Sequence, residues 1–283
     1  MLRLSLALGL SVLGCAQGVE DDGRPRVGGT GGSGAGGSAA SSGGGGETPS
    51  VVRGSLGAWS GQYASGEQSS VFVGFSETGF ACEEERIGPC TLDRCPIAKD
   101  AVASSSAGTI RLSGGVQSPI TLAFLAGAYT GDHDPNAVIF DGGETITFTA
   151  EGDEVPEFST TLTAPATAVL TSPAGESVTI DTRIDLPIVW SGGSHTLVVA
   201  LWGKEGTSLA RSVSCLFDAA AHEIAVPAEV LAPLAGTTQG SINVLTMSYE
   251  YLELGGGWRT GVHLSSIAKQ PNGEPGWLPV DFQ

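Results

Sequence analysis

The chain has 283 residues, of which 41% are hydrophobic, 6% aromatic and 15% charged, and its formal net charge is −17. Such a polyanion repels nucleic acid and anionic lipid, which excludes charge-driven binding to either. The 43 glycines point to turns and linkers rather than to long helices.

In chain order, the first element is Met1-Leu2-Arg3 followed by an apolar or small run from Leu4 to Leu13. One cation and a short apolar core match a signal peptide over residues 1–14, and the run is too short to span a bilayer. It ends in Val12-Leu13-Gly14-Cys15. This resembles the lipobox of bacterial lipoproteins, in which an aliphatic residue and a small residue precede the cysteine that receives diacylglycerol. The resemblance implies lipidation at Cys15, with the membrane reached through acyl chains that each add about 0.8 kcal/mol per buried CH₂. Ala16 and Gln17 follow, with no Asp beside the cysteine, which points to the outer membrane.

Residues 15–50 form the second element. Thirteen glycines with Ser, Ala and Thr between them cannot bury enough surface to offset chain entropy, so this is a flexible tether. A Gly-rich coil of that length spans about 30–35 Å r.m.s..

From residue 51 the pattern is β throughout. Val71, Val73 and Phe75 alternate, as do Ile146, Phe148 and Ala150 against Thr145, Thr147 and Thr149. The segment from His195 to Trp202 is apolar on both faces and predicts a central strand. Leu245, Met247, Tyr249 and Tyr251 predict one face of another. Gly114-Gly115, Asp141-Gly142-Gly143, Ser191-Gly192-Gly193 and Gly255-Gly256-Gly257 separate the strands. One helix is predicted over Pro227–Leu234, with Pro227 in its first turn and Gly236 ending it. Many short strands with glycine turns predict an all-β, antiparallel sandwich architecture. A boundary near Ala164-Pro165 divides it into two packed immunoglobulin-like sandwiches, residues 51–164 and 165–283, with one large sandwich as the alternative.

Four cysteines remain after Cys15: Cys82, Cys90, Cys95 and Cys215. An even number in an exported chain predicts two disulfides. Complete pairing leaves one bridge within the 82–95 cluster and one from that cluster to Cys215, and three pairings satisfy this.

The search for chemistry finds no catalytic residue. There is no Gly-x-Ser-x-Gly, and His222-Glu223 lacks the second histidine of a zinc peptidase because Val226 stands in its place. Acidic clusters at Glu83-Glu84-Glu85, at Asp141 with Glu144, and at Glu151 with Asp153 and Glu154 read as solvated turns. No strand appears rich enough in aromatics to form a sugar platform. Asp132, Asp134 and Asn136 have the alternate spacing of a calcium loop. Ala137 replaces its turn glycine, however, and Gly143 stands where its last carboxylate belongs, so an acidic turn is the expectation. No metal and no cofactor are expected.

Phe140-Asp141-Gly142-Gly143-Glu144-Thr145-Ile146 with the following Val155–Ser159 stretch forms one block. Asp185–Gly193, Ser214-Cys215-Leu216-Phe217 and the Pro227 segment form others. Together they resemble a group of myxobacterial lipoproteins, in scattered blocks over most of residues 75–268. The resemblance implies an exported β-rich protein and supplies no activity. The expectation is therefore a non-catalytic, lipid-anchored envelope protein that binds a partner, an envelope protein or a glycan, or has a structural role. The alternative is a secreted hydrolase or a calcium-dependent carbohydrate-binding module acting on an extracellular polymer.

Overall fold

The computed structural model describes residues 54–61, 68–76, 83–96, 105–206 and 209–283. Cys15, the tether and Cys82 lie outside the described residues. The first strands are Gly54–Ser60 (β1), Ser69–Phe75 (β2), Glu83–Ile87 (β3) and Cys90–Pro96 (β4). Five short strands follow: Ile110–Ser113 (β5), Ile120–Leu125 (β6), Ala128–Gly131 (β7), Thr145–Ala150 (β8) and Phe158–Thr163 (β9). Next come Ala168–Ser172 (β10), Val178–Ile180 (β11), Leu186–Gly192 (β12), Thr196–Glu205 (β13), Leu209–Asp218 (β14) and Glu223–Val226 (β15). The chain closes with a one-turn helix Ala228–Leu231 (α1), then Thr238–Glu253 (β16), Arg259–Ile267 (β17) and Trp277–Phe282 (β18).

These strands make one ten-stranded sheet and two small ones. The large sheet runs β2-β1-β17-β16-β13-β14-β4-β3, with β18 also beside β16 and β11 beside β18. Its pairs are antiparallel except β1 with β17 and β11 with β18. The five-stranded sheet is β7-β6-β5-β8-β9 and the three-stranded sheet is β10-β12-β15. The architecture is thus an all-β sandwich in which one broad sheet carries two smaller ones.

Both small sheets cover the same face of the large sheet. The five-stranded sheet closes a core of Leu56, Ala58, Phe75, Ile110, Phe148, Val262 and Leu264 with their neighbours. The three-stranded sheet and α1 close a second core around Leu197, Val199, Leu201, Val213, Ile242, Val244, Trp190 and Leu231. Residues on both sides of Ala164-Pro165 build the large sheet: β1 to β4 precede that junction, and the strands between them in the sheet follow it. Strand β16 spans both cores, with Ile242 and Val244 in one and Leu252 against the other.

Between the cores the connection from β9 to β10 crosses the large sheet, and hydroxyls hold it there. Thr246 Oγ1 donates to the Ala166 carbonyl at 2.7 Å, and Ser248 Oγ donates to the Thr163 carbonyl at 2.7 Å. Thr167 and Ser266 share a hydroxyl hydrogen bond of 2.6 Å, and on the separate connection from β7 to β8 Ser60 Oγ accepts from the Ile139 amide at 2.9 Å. A loop crossing a sheet has backbone groups that the ladder cannot satisfy, and these side chains supply the partners.

Several local expectations can be placed. The segment from Thr196 is a central strand, between β14 and β16, with Leu197, Val198 and Val199 fully buried. The predicted helix is shorter and continues as a 3-10 turn over Ala232–Leu234, and Pro227 caps α1 from outside rather than entering it. Gly236 follows with φ +73°, a conformation that favours glycine. In β16 the Leu245, Met247, Tyr249, Tyr251 set faces away from both cores, because Ile242, Val244, Thr246 and Ser248 take the covered face.

The long disulfide joins Cys90 to Cys215 across 125 residues. The two cysteines are direct neighbours in the β4–β14 register, and both are fully buried in the core under the three-stranded sheet. Cys95 is also disulfide-bonded, to a partner outside the described residues. No helix among the described residues is long and apolar enough to cross a membrane.

Candidate functional site

Side chains alternate across a strand, so the pairing registers decide which residues share the large sheet's second face, opposite the two cores. One row crosses β13, β14, β4 and β3 as Trp202, Ser212, Asp93 and Glu84. The next row holds Asn243 on β16, Ala200, Ser214 and Thr91. Farther along, Phe72, Gly57, His263 and Tyr249 form a row, and Trp59, Ser265 and Met247 another.

This face collects aromatic rings. Phe72, Trp59, Tyr249, Tyr251, Trp202 and Trp277 come to it from β2, β1, β16, β13 and β18. No strand is aromatic-rich by itself, and the registers bring six rings from five strands, two of them from β16, to one face. Phe72 packs on His263 with ring centroids 4.8 Å apart, Tyr249 meets Tyr251 edge-on, and the Arg259 guanidinium lies 4.9 Å over the Tyr251 ring.

The same face also collects unsatisfied polar atoms. Oδ1 of Asn243, Nε2 of His263 and Oγ of Ser265 are buried without a hydrogen-bond partner, and the carboxylate of Asp93 is buried with only the Ser212 hydroxyl beside it. All four residues point to this face, whereas Thr260 is the counterpart on the covered one. Asp93 and Ser265 are each only 1% exposed and His263 6%. Each such atom costs about 1–3 kcal/mol when nothing replaces its lost water.

Electrostatics follow from that burial. Burial, with the Glu84 carboxylate paired opposite, pushes the Asp93 carboxyl up to about 7, and the Ser212 hydroxyl offsets only part of this. Burial also raises Glu84. It pulls His263 down to about 4, so that imidazole is neutral at pH 7. Burial first, then Tyr249 and the Glu84 charge, push Tyr251 up to about 12 against the lowering effect of Arg259. Strands β4, β14 and β13 lie between Glu84 and Tyr251 in the sheet order. Four strand intervals in a flat sheet would exceed roughly 19 Å. The Glu84 charge bears on both Asp93 and Tyr251, as it would if the sheet curls toward this side, and we call this second face the concave face. Gly57 belongs to this packing, because a Cβ there would lie 2.5 Å from both the His263 and Phe72 rings.

The residues singled out by spacing sit elsewhere. Asp132 Oδ1 accepts from the Thr121 amide at 2.7 Å, and Asp134 Oδ1 accepts from the backbone and side chain of Asn136 at 2.9 and 3.2 Å. Asp134 and the Asn136 amide cap their own turn, and Asp132 ties it to the neighbouring strand β6. Among the described residues no group of three or more His, Cys, Asp or Glu converges as a metal site. Glu144 accepts from the amides of Asp141 and Gly142 at 2.8 and 2.7 Å, another turn. His195 lies at a turn with φ +63°, and His222 ends a 3-10 turn with φ +61° before β15. Neither joins His263. Asp93, Asn243, His263 and Ser265 were invisible as a group, because only the registers bring β4, β16 and β17 to one face.

Comparison with protein-family models, curated proteins and solved structures finds no match to this chain.

Proposed function

We propose that this chain is a lipid-anchored protein of the cell envelope, tethered to the outer membrane through Cys15, whose β module binds a partner through the concave face of its large sheet. The observation that carries the binding role is the segregation of polar atoms. The covered face satisfies Ser60, Thr246, Ser248 and Ser266 and leaves only Thr260 unpaired among its described hydroxyls, whereas the concave face leaves Asn243, His263 and Ser265 buried and unpaired and Asp93 with Ser212 alone. Groups of that kind in a native protein call for an explanation, and a polar partner whose docking opens this face to reach them is one. Export is supported by the Cys90–Cys215 bridge, since disulfides persist in oxidising compartments. The lipobox and the likeness to myxobacterial lipoproteins support the anchor and the address.

A hydrolase acting on an extracellular polymer is the second reading, and the Glu84–Asp93 pair is the observation in its favour. A protonated acid beside a second carboxyl is the pattern glycoside hydrolysis uses. Asp93 is 1% exposed, which keeps it from a scissile bond, and binding is therefore the preferred reading.

The anchor is tested by metabolic labelling with a palmitate analogue. Wild type should be labelled and sediment with outer membrane, and Cys15→Ser should lose the label. Labelling that survives in Cys15→Ser refutes the anchor. Binding is tested with the immobilised full-length lipoprotein and envelope extract. Capture that is lost in Asn243→Ala supports use of the concave face, and capture indifferent to it counts against that face.

A further inference from the structure

The five-stranded sheet ends in an apolar tip. Strand β6 turns into β7 through Leu125-Ala126-Gly127-Ala128, and all four residues are exposed, Leu125 by 61%. Ala123 is exposed beside them, and no charged residue occurs between Arg111 and Asp132. Val116 and Ile184 are as exposed as Leu125 but differ in company. Val116 stands between Gly115 and Gln117, and Ile184 between Arg183 and Asp185. The tip is apolar against the preference of its own backbone. Ala126 has φ +51° and Gly127 φ +83°, the two positive angles of a type I′ turn, whose first position favours Asn, Asp or Gly. Alanine there is strained and brings no polar group. The hairpin is nonetheless held firmly. Phe124 packs on Tyr129 with ring centroids 5.1 Å apart, and the Tyr129 hydroxyl accepts from the Ala107 amide at 2.6 Å.

The tip also lies at the end of the module where the tether arrives. Gly54 opens β1 and is the register neighbour of Phe75. Phe75 meets Tyr129 edge-on at 6.3 Å, and Tyr129 adjoins the tip. We propose that this hairpin tip is a second membrane contact, inserting Leu125 and Ala126 into the surface of the zwitterionic phospholipid leaflet that holds the Cys15 anchor. The proposal rests on the anchor reading above. One leucine with small neighbours binds lipid weakly by itself. The tether makes weak binding sufficient, because a short flexible linker gives an effective concentration on the order of millimolar. Neighbouring acids set the lipid class. On the β8–β9 connection Glu151 pairs with Arg111 at 3.7 Å, Glu154 accepts from the Ser106 amide at 3.0 Å, and the charges of Asp153 and Glu154 bear on Tyr129. They repel an anionic surface and tolerate a headgroup that ends in an ammonium. A second copy is disfavoured as the occupant, since each chain carries −17. The tip belongs to the sheet opposite the concave face, so this contact leaves that face uncovered.

The experiment uses the full-length lipoprotein reconstituted in vesicles of phosphatidylcholine and phosphatidylethanolamine. Leu125→Cys and, as a control of equal exposure, Ile184→Cys each carry an environment-sensitive dye. Quenching by lipids with a nitroxide high on the acyl chain is measured. The Leu125 site should be quenched at least about threefold more than the Ile184 site. Adding Ala126→Asp, a residue that suits the turn better than alanine, should bring quenching down to the control. Replacing about half of the lipid by phosphatidylglycerol should do the same. Equal quenching at the two sites, or quenching indifferent to Ala126→Asp, overturns the proposal, and indifference to phosphatidylglycerol overturns its lipid class. A blue shift at Leu125 without quenching means that protein covers the tip, and overturns it too. Vesicle flotation separates this proposal from the anchor. Chain that floats with an unquenched dye keeps the anchor and loses the second contact, whereas wild-type chain that fails to float overturns both.

Discussion

Ser265 and Ser266 are consecutive in β17 and experience opposite worlds. Ser266 points to the covered face and shares a 2.6 Å hydrogen bond with Thr167 of the crossing chain, while Ser265 points to the concave face and has a buried hydroxyl with no partner. The contrast extends across the sheet. On the covered face two apolar cores flank a band of hydroxyls, each matched to the connection it holds. On the concave face aromatic rings surround Asp93, which has Ser212 alone, and Asn243 and His263, which have unmatched polar atoms. The covered face is arranged for stability. The concave face gives stability away, and proteins do so most often where a site is built.

Removing the Cys90–Cys215 bridge, which lies on the covered face, should have the largest effect. A loop of 125 residues gives a chain-entropy contribution of roughly 4–5 kcal/mol, an upper figure because residual structure in the unfolded chain reduces it. The double substitution Cys90→Ala with Cys215→Ala should show this in urea unfolding, and a loss below about 1 kcal/mol would show that the bridge does not hold the sheet.

The concave face should contribute the next largest change, through pH. The Asp93 carboxyl stands at about 7 folded against roughly 3.9 unfolded, so the folded state holds the extra proton between those values. Its contribution is fully present below about pH 4 and is lost as pH rises through 7, up to about 4 kcal/mol. His263, lowered to about 4, has the reverse sign: its contribution is present above about 6.5 and is lost as pH falls through 4. Asp93→Asn should raise Tm at pH 8 and change it little at pH 4. An equal shift at both would mean that Asp93 does not titrate in this window.

Thr246→Val should cost about 1–3 kcal/mol, because the Ala166 carbonyl loses its 2.7 Å donor in a site closed to water. Thermal unfolding of the variant measures it directly. The smallest and sharpest comparison returns to the two serines. Ser266→Ala should destabilise by about 1 kcal/mol, and Ser265→Ala should stay within about 0.5 kcal/mol of wild type or gain, since an unmatched hydroxyl is removed. Equal losses at both positions would erase the distinction between the faces.

Some of this was legible in advance. Alternation at Val71, Val73 and Phe75 and at Ile146, Phe148 and Ala150 located strands, because one covered face imposes a period of two. The requirement for a long bridge to Cys215 followed from counting cysteines, and only the β4–β14 register selected Cys90 as its partner. The Asp132-Asp134-Asn136 spacing was equally visible and belongs to a turn whose carboxylates accept from backbone amides of Asn136 and of Thr121 on β6.

By itself the sequence determined that the described part of the chain is all-β and where many of its strands and turns fall, since these depend on contacts between a residue and its near neighbours. Only the tertiary structure decided that two cores share one face of a single sheet, that the Tyr249–Tyr251 side of β16 turns away from both, and that Trp202, Asp93 and Asn243 share the opposite face. Those facts depend on which strands pair and in what register. A shift of one residue would send every side chain of a strand to the opposite face, and no local pattern in β4, β13 or β16 encodes its partner.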